Sequence, residues 1–222
     1  MDRLQTKNGL TMETKQLVRV LPPMGYTALA AEWDDIPEMT RVSNRDAEFV
    51  MGHADTEEME FQRNWEAPEF DHKRDTQLIL DGTTDRIVGF VQIFNEQVPA
   101  TRPYIWNRML PGYHNHAAGD FLLYWAEKHC IANLATIPGD LRVVMNTYSV
   151  SGFEPLEQLL KRHGYKAYYD RGMQAVALGV DAQSLTGATR LYERAGMHVH
   201  PSYDRYEKVI RNGKEIAKME LG

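Results

Sequence analysis

Cysteine is almost absent: Cys130 is the only one in 222 residues. One thiol excludes an internal disulfide framework and suits a reducing compartment. Long apolar runs are missing too. None approaches the roughly 18–20 residues that cross a bilayer, so no membrane segment is expected. The start, Met1-Asp2-Arg3-Leu4-Gln5-Thr6-Lys7, lacks the apolar core of a secretory signal, and the expectation is a cytoplasmic protein. Positive charge is in deficit: 25 Lys and Arg against 31 Asp and Glu leave a formal net charge of −6. A general nucleic-acid binder normally shows a basic patch, so no nucleic-acid partner is expected. What is there, 43% hydrophobic and 25% charged, is an ordinary globular composition with length enough for a substantial core.

Residues 1–14 are polar and aperiodic and read as a tail. Gln16 to Leu21 alternates as a short strand stopped by Pro22-Pro23, and Gly25 to Trp33 has helical spacing. Ser43-x-x-Asp46 resembles a capping box and predicts a helix start near Ser43. A third helix is predicted from Asp55 or Thr56 past Trp65, with Met59, Phe61 and Trp65 inward. Gln77–Leu80 and Arg86–Phe94 read as a hairpin around Asp81-Gly82-Thr83-Thr84-Asp85. Pro103–Leu110 is a strand candidate, followed by a helix through Phe121, Leu122 and Trp125 in which Cys130 is a core thiol. Leu141–Met145 is a strand, and Pro155–His163 a helix closed by Gly164.

An internal repeat follows. Leu159-Leu160-Lys161-Arg162-His163-Gly164-Tyr165 aligns with Leu191-Tyr192-Glu193-Arg194-Ala195-Gly196-Met197. Each copy sits in a strand–loop–helix–glycine–strand pattern.

The stretch Leu178-Gly179-Val180-Asp181-Ala182 to Leu191-Tyr192-Glu193-Arg194-Ala195-Gly196-Met197 closely resembles the last βα unit of the GCN5-related N-acetyltransferases (GNAT). It is most similar to the second half of tandem-GNAT proteins of the mycothiol-synthase type. The resemblance implies an α/β fold with a mixed, mostly antiparallel sheet flanked by helices. It divides the chain into a GNAT-like unit at 15–170 and a partial second unit at 171–222, packed on or completing the first. Lys166–Tyr169 and Gln174–Val180 would then form the closing hairpin of the first unit. An incomplete second unit leaves room for a homodimer.

The implied function is acetyl transfer from acetyl-CoA, as cosubstrate, to the primary amine of a small molecule or peptide. The family holds the acetyl-CoA pyrophosphate on a glycine-containing loop at a helix N-terminus, where amide donors and the helix dipole meet the anion. The matching residues are His114, Asn115, His116, Ala117, Ala118 and Gly119, with His114 where the family has Arg or Gln and Ala117 where it has its first Gly. Asp120 lies at the mouth of this loop. Ser184 stands where relatives place a cofactor-contacting Asn, or else caps a helix beside Thr186.

Two catalytic residues are implied. Tyr192 would protonate the departing thiolate, and Glu96 would accept the amine proton directly or through water. The pairs His114/His116 and His198/His200 are spaced for one face of a strand, but no partners complete a metal site, and none is expected. From Glu32 to Asp71, thirteen Asp or Glu stand against three Lys or Arg, which suggests a negative wall toward a cationic acceptor. The alternative is a catalytically degenerate GNAT-like binding or scaffold module.

Overall fold

Alternating apolar residues build a seven-stranded sheet in this computed structural model, which describes residues 19–95, 97–168 and 203–216. Its strands are β1 (Tyr26–Ala30), β2 (Thr76–Asp81), β3 (Ile87–Phe94), β4 (Tyr104–Met109), β5 (Val143–Val150), β6 (Lys166–Ala167) and β7 (Tyr203–Arg211). They lie in the order β1-β2-β3-β4-β5-β7-β6. Neighbours are antiparallel throughout, except that β4 and β5 run parallel. The helices are α1 (Ile36–Met51), α2 (Glu58–Trp65), α3 (His72–Asp75), α4 (Ala117–Ala132) and α5 (Glu154–Arg162). The architecture is the expected mixed α/β sheet flanked by helices.

Each face of the sheet has its own core. On one, α4 and α5 bury Phe121, Leu122, Trp125, Leu159 and Leu160 against Val91, Ile105, Met109, Met145 and Tyr206. On the other, Met39 and Val42 of α1 and Phe61 and Trp65 of α2 cover Leu78, Leu80 and Phe90. Helix α4 is apolar almost all round, as suits its central place. Cys130 is buried in it, and burial, with the charges of Asp75 and Glu127, pushes its thiol far up. It is a core residue with no nucleophilic character.

Several local expectations are corrected. Residues 26–30 form an edge strand paired to β2, not a helix, because Tyr26 and Ala28 alternate onto the α4-side core. Residues 19–23 take no regular structure. Helix α1 begins at Ile36, not Ser43, with Pro37 in its first turn, where a missing N–H costs nothing. Its buried stripe includes Ser43 and Asp46 among Ile36, Met39, Val42 and Ala47, so two polar residues hide the apolar period. Ser43 bonds Thr56 inside the fold at 2.7 Å. Met59 is exposed, while Phe61 and Trp65 do face inward. Among the described residues Lys166–Ala167 pairs with Tyr203–Arg211, which also pairs with β5 along its length. Gln174–Val180 lies outside the described residues.

A buried polar cluster ties the sheet to the C-terminal half of α4. Asp75 accepts from Arg74 Nε at 2.8 Å and from the Asp71 N–H at 3.0 Å, and His129 Nε2 lies 3.1 Å away. Burial raises the Asp75 pKa, but the bonds from His129 and Arg74 more than offset it and hold the carboxyl below its ordinary value. A depressed folded-state pKa contributes stability above the unfolded value of about 3.9 and loses it as pH falls through the folded one. Asp75→Asn should therefore cost about 3 kcal/mol at neutral pH. Urea titrations between pH 7 and pH 2 should show that the variant has lost part of the wild-type acid limb.

Candidate active site

Strands β4 and β5 share a single register pair, Tyr104 with Asn146. Just before it, the Asn146 N–H donates to the Pro103 carbonyl at 2.9 Å and the Val144 N–H to Thr101 at 3.0 Å. Beyond it the two strands part, yet neither ends. β4 stays paired to β3 as far as Met109 opposite Gly89, and β5 stays paired to β7 as far as Val150 opposite Tyr203. The result is a wedge inside the sheet. Leu110 turns its N–H to Val88 on β3 while Pro103 turns its carbonyl to β5, so strand alternation aims the Asn107 backbone into the wedge.

Side chains line the wedge from both strands. Tyr104, Trp106, Arg108, Asn146 and Tyr148 stand on the α1/α2 face, with Ile105, Asn107, Met109, Met145 and Thr147 on the α4 face. The Tyr104 and Tyr148 rings meet edge to face, 5.6 Å between centroids. Arg108 donates to Asp55 at 2.6 Å and lies 3.7 Å from Asp46. Tyr203 joins this group: burial pushes its phenol up, with Arg108 opposing and Asp55 adding to the rise. The inward carboxylates of the acidic segment are thus already paired with a guanidinium. A cleft of about 580 Å³ opens nearby between α1 and the loop after β4, lined by Arg41, Arg45, Glu48, Phe49, Leu110, Pro111 and Tyr113.

The loop from β4 leads to the N-terminus of α4. His116 is the N-cap, and its side chain makes no bond to the first turn, which leaves the opening amides of α4 without a side-chain cap. Gly119 is required by close approach: a Cβ there would lie 2.4 Å from the His114 carbonyl oxygen and 2.9 Å from Leu159 Cδ2. Asn115, His116 and Ala117 are exposed, while Ala118 and Gly119 are buried beneath them.

The imidazole of His114 does something other than expected. It is 3% exposed, its Nε2 donates to Asp46 Oδ1 at 2.7 Å, and its ring packs edge to face on Phe153. A buried carboxylate on α1 has claimed its Nε2, and the ring is buried away from the exposed rim of the loop. His116 is exposed, so the two histidines do not share a face. Asp120 also has a partner. Arg162 Nε and Nη2 donate to it at 3.1 and 3.0 Å, His163 Nε2 lies at 2.7 Å, and Arg162 Nη1 donates to Asn115 at 2.6 Å. The carboxylate at the loop mouth is offset by a cation that also braces the loop.

Tyr192, Ser184 and Glu96 lie outside the described residues. Leu160, which the repeat aligns with Tyr192, is fully buried in the core. The sequence reading missed Arg108, Asn146, Tyr148 and Arg205. A period-two run of large polar and aromatic residues, Tyr104-x-Trp106-x-Arg108, was the available signal for a decorated sheet face.

No protein-family model and no curated protein matches the sequence. Solved structures do match. A GCN5-related N-acetyltransferase from Sphaerobacter thermophilus aligns over 88% of this chain and 99% of its own, with TM-score 0.71 and 17% identity. The chain has the GNAT fold. The ribosomal-protein-S5-alanine acetyltransferase from Vibrio fischeri aligns over 87% of this chain and 98% of its own, at TM-score 0.59 and 10% identity. A GNAT superfamily phosphinothricin acetyltransferase from Sinorhizobium meliloti, in complex with acetyl-CoA, aligns over 86% and 91%, at 0.57 and 12%. In this chain's version of the GNAT fold, the wedge and the start of α4 are adjacent along the chain, joined by residues 110–116.

Gly119→Ala should destabilise the protein by about 1–3 kcal/mol, the cost of overpacking a close contact. His114→Ala should cost a similar amount by leaving Asp46 buried with one fewer partner. Chemical denaturation of both variants measures this.

Proposed function

We propose that the chain is an N-acetyltransferase that moves an acetyl group from acetyl-CoA to a primary amine of a small molecule or peptide. The observation that carries the reading is the wedge between β4 and β5, joined by a short loop to a helix N-terminus whose first turn has no side-chain cap. Such a terminus suits a diphosphate, and the wedge gives an extended thioester arm a backbone edge to pair with. The anionic Asp120 is offset by Arg162 and His163, which removes the main electrostatic objection to a phosphate there. Backbone amides of Ala117, Ala118 and Gly119, with Asn115 and His116 at the rim, would hold the diphosphate. His114 contributes by bracing the loop on α1.

In the proposed reaction the neutral amine attacks the thioester carbonyl carbon, the C–S bond breaks, and CoA leaves as thiolate. The Asn107 N–H is placed to polarise the carbonyl oxygen. The amine proton passes to Glu96 directly or through water, and Tyr192 supplies a proton to the thiolate. Ser184 would contact the cofactor from the same segment. That segment is bounded by Tyr168, whose hydroxyl bonds the Asn146 side chain, and by Tyr203 at the start of β7 opposite Val150, which favours a role near the wedge for Tyr192.

A second reading, a degenerate module that binds without turnover, is favoured by Leu160 in the first copy of the repeat and by the ring of His114 being engaged on Asp46. Thermal melts with acetyl-CoA separate these outcomes. Saturation at 100 times Kd stabilises by about 2.7 kcal/mol; no shift at millimolar acetyl-CoA would rule out both binding and transfer. Tyr192→Phe should keep the shift and lower kcat by about a hundredfold or more. A shift with no CoA released from acetyl-CoA in the presence of any amine tried would leave the degenerate module.

A further inference from the structure

Among the described residues, Arg108 on β4 and Arg205 on β7 stand on the α1/α2 face in different electrostatic states. Arg108 is committed, with Asp55 at 2.6 Å and Asp46 at 3.7 Å. Arg205, on β7 opposite Tyr148, is not: among the described residues no carboxylate lies within ion-pair distance of it. Glu207, two residues along on the same face, is taken by Arg142 at 2.8 Å. Arg205 is half-buried. Its guanidinium lies 4.8 Å from the ring centroid of Tyr168 and 5.8 Å from that of Tyr148. It donates once, from Nη2 to Asn146 Oδ1 at 3.0 Å, and its Nε is buried with no hydrogen-bond partner.

This arrangement is costly unless something completes it. A guanidinium has five N–H donors in a rigid fork, and an unmatched buried donor forfeits its hydration. Tyrosine faces hold the cation in place without neutralising it. Asn146, the residue it donates to, is the one at which β4 and β5 part, so the free charge stands on the wedge floor. Resting on the acetyl-transfer reading above, we propose that Arg205 is a specificity-determining residue that receives a carboxylate of the acceptor, whose substrates are therefore amines that carry an acid group. A carboxylate fits better than a phosphate: one guanidinium matches one negative charge bidentately, whereas a dianion would need a second cation, and Arg108 is already paired.

The test compares acid and amide acceptors matched in shape: amino acids, β-alanine and 6-aminohexanoate against their carboxamides, with CoA release as readout. Wild type should show about a hundredfold higher kcat/KM for the acids. Arg205→Gln should raise KM for the acids by about ten- to a hundredfold, leave the amides unchanged and keep the acetyl-CoA melting shift. Arg205→Lys should recover part of the loss. Equal rates for acids and amides in wild type would overturn the proposal, and that comparison stands even if the variants fold poorly. So would a preference for acids that survives in Arg205→Gln.

If no amine is acetylated, the transfer reading fails, and the carboxylate site is read separately by melts with N-acetylglycine and N-acetylglycinamide. Stabilisation of wild type by the acid alone, lost in Arg205→Gln, supports the site. No response to the acid, or equal responses to both, overturns it.

Discussion

The main-chain N–H of Asn146 bonds the Pro103 carbonyl at the one β4–β5 register pair, while its side-chain oxygen accepts from Tyr168 and Arg205. One residue thus ends the β4–β5 ladder and organises the face beneath the opening. The wedge survives because each strand is secured on its other edge, β4 by six register pairs to β3 and β5 by eight to β7. Closing it would gain backbone bonds of about 1 kcal/mol each but would require the two antiparallel ladders to shift together. The gap is therefore a property of sheet topology and does not depend on the flexibility of a loop.

A second chain of contacts links the helix end of the wedge to its face. His114, in the loop before α4, bonds Asp46 on α1; Asp46 lies near Arg108 on β4; Arg108 bonds Asp55 in the α1–α2 connection. Buried carboxylates persist only when paired, so each member fixes the next. The loop that would meet a diphosphate and the connection that borders the acceptor face are held by one network. This accounts for a histidine in a place where family resemblance suggested a phosphate ligand: its partner is internal.

Those same residues show why the sequence was readable in some places and opaque in others. The β2–β3 hairpin, β4, α4 and α5 were legible because their inward residues are apolar at a single period, and Gly164, with φ +78°, ends α5 as its position suggested. Helix α1 was not, because its inward stripe needs Ser43 and Asp46 to satisfy Thr56, His114 and Arg108, partners far off in the chain. β1 was not, because an edge strand of five residues with alternating small and large side chains also satisfies a helical spacing. Residues 114–119 were legible as the lead-in to α4, from glycine beside an apolar helix start. Their roles were not, since whether His114 faces a ligand or a carboxylate is decided by α1. Arg205 left no local signal: its meaning comes from which strand lies beside it, and β7 stands far along the chain from β5.

In the first copy of the repeat the helix position aligned with Tyr192 is Leu160, packed with Leu159 under α4, so this copy serves the core. β7, which follows residues 169–202 along the chain, lies between β5 and β6. Both bounds of that stretch, Tyr168 and Tyr203, stand on the face where Asn146, Tyr148 and Arg205 converge. A first copy given over to the core leaves any chemistry of the motif to the second, which is why the transfer reading rests on Tyr192 and not on Leu160.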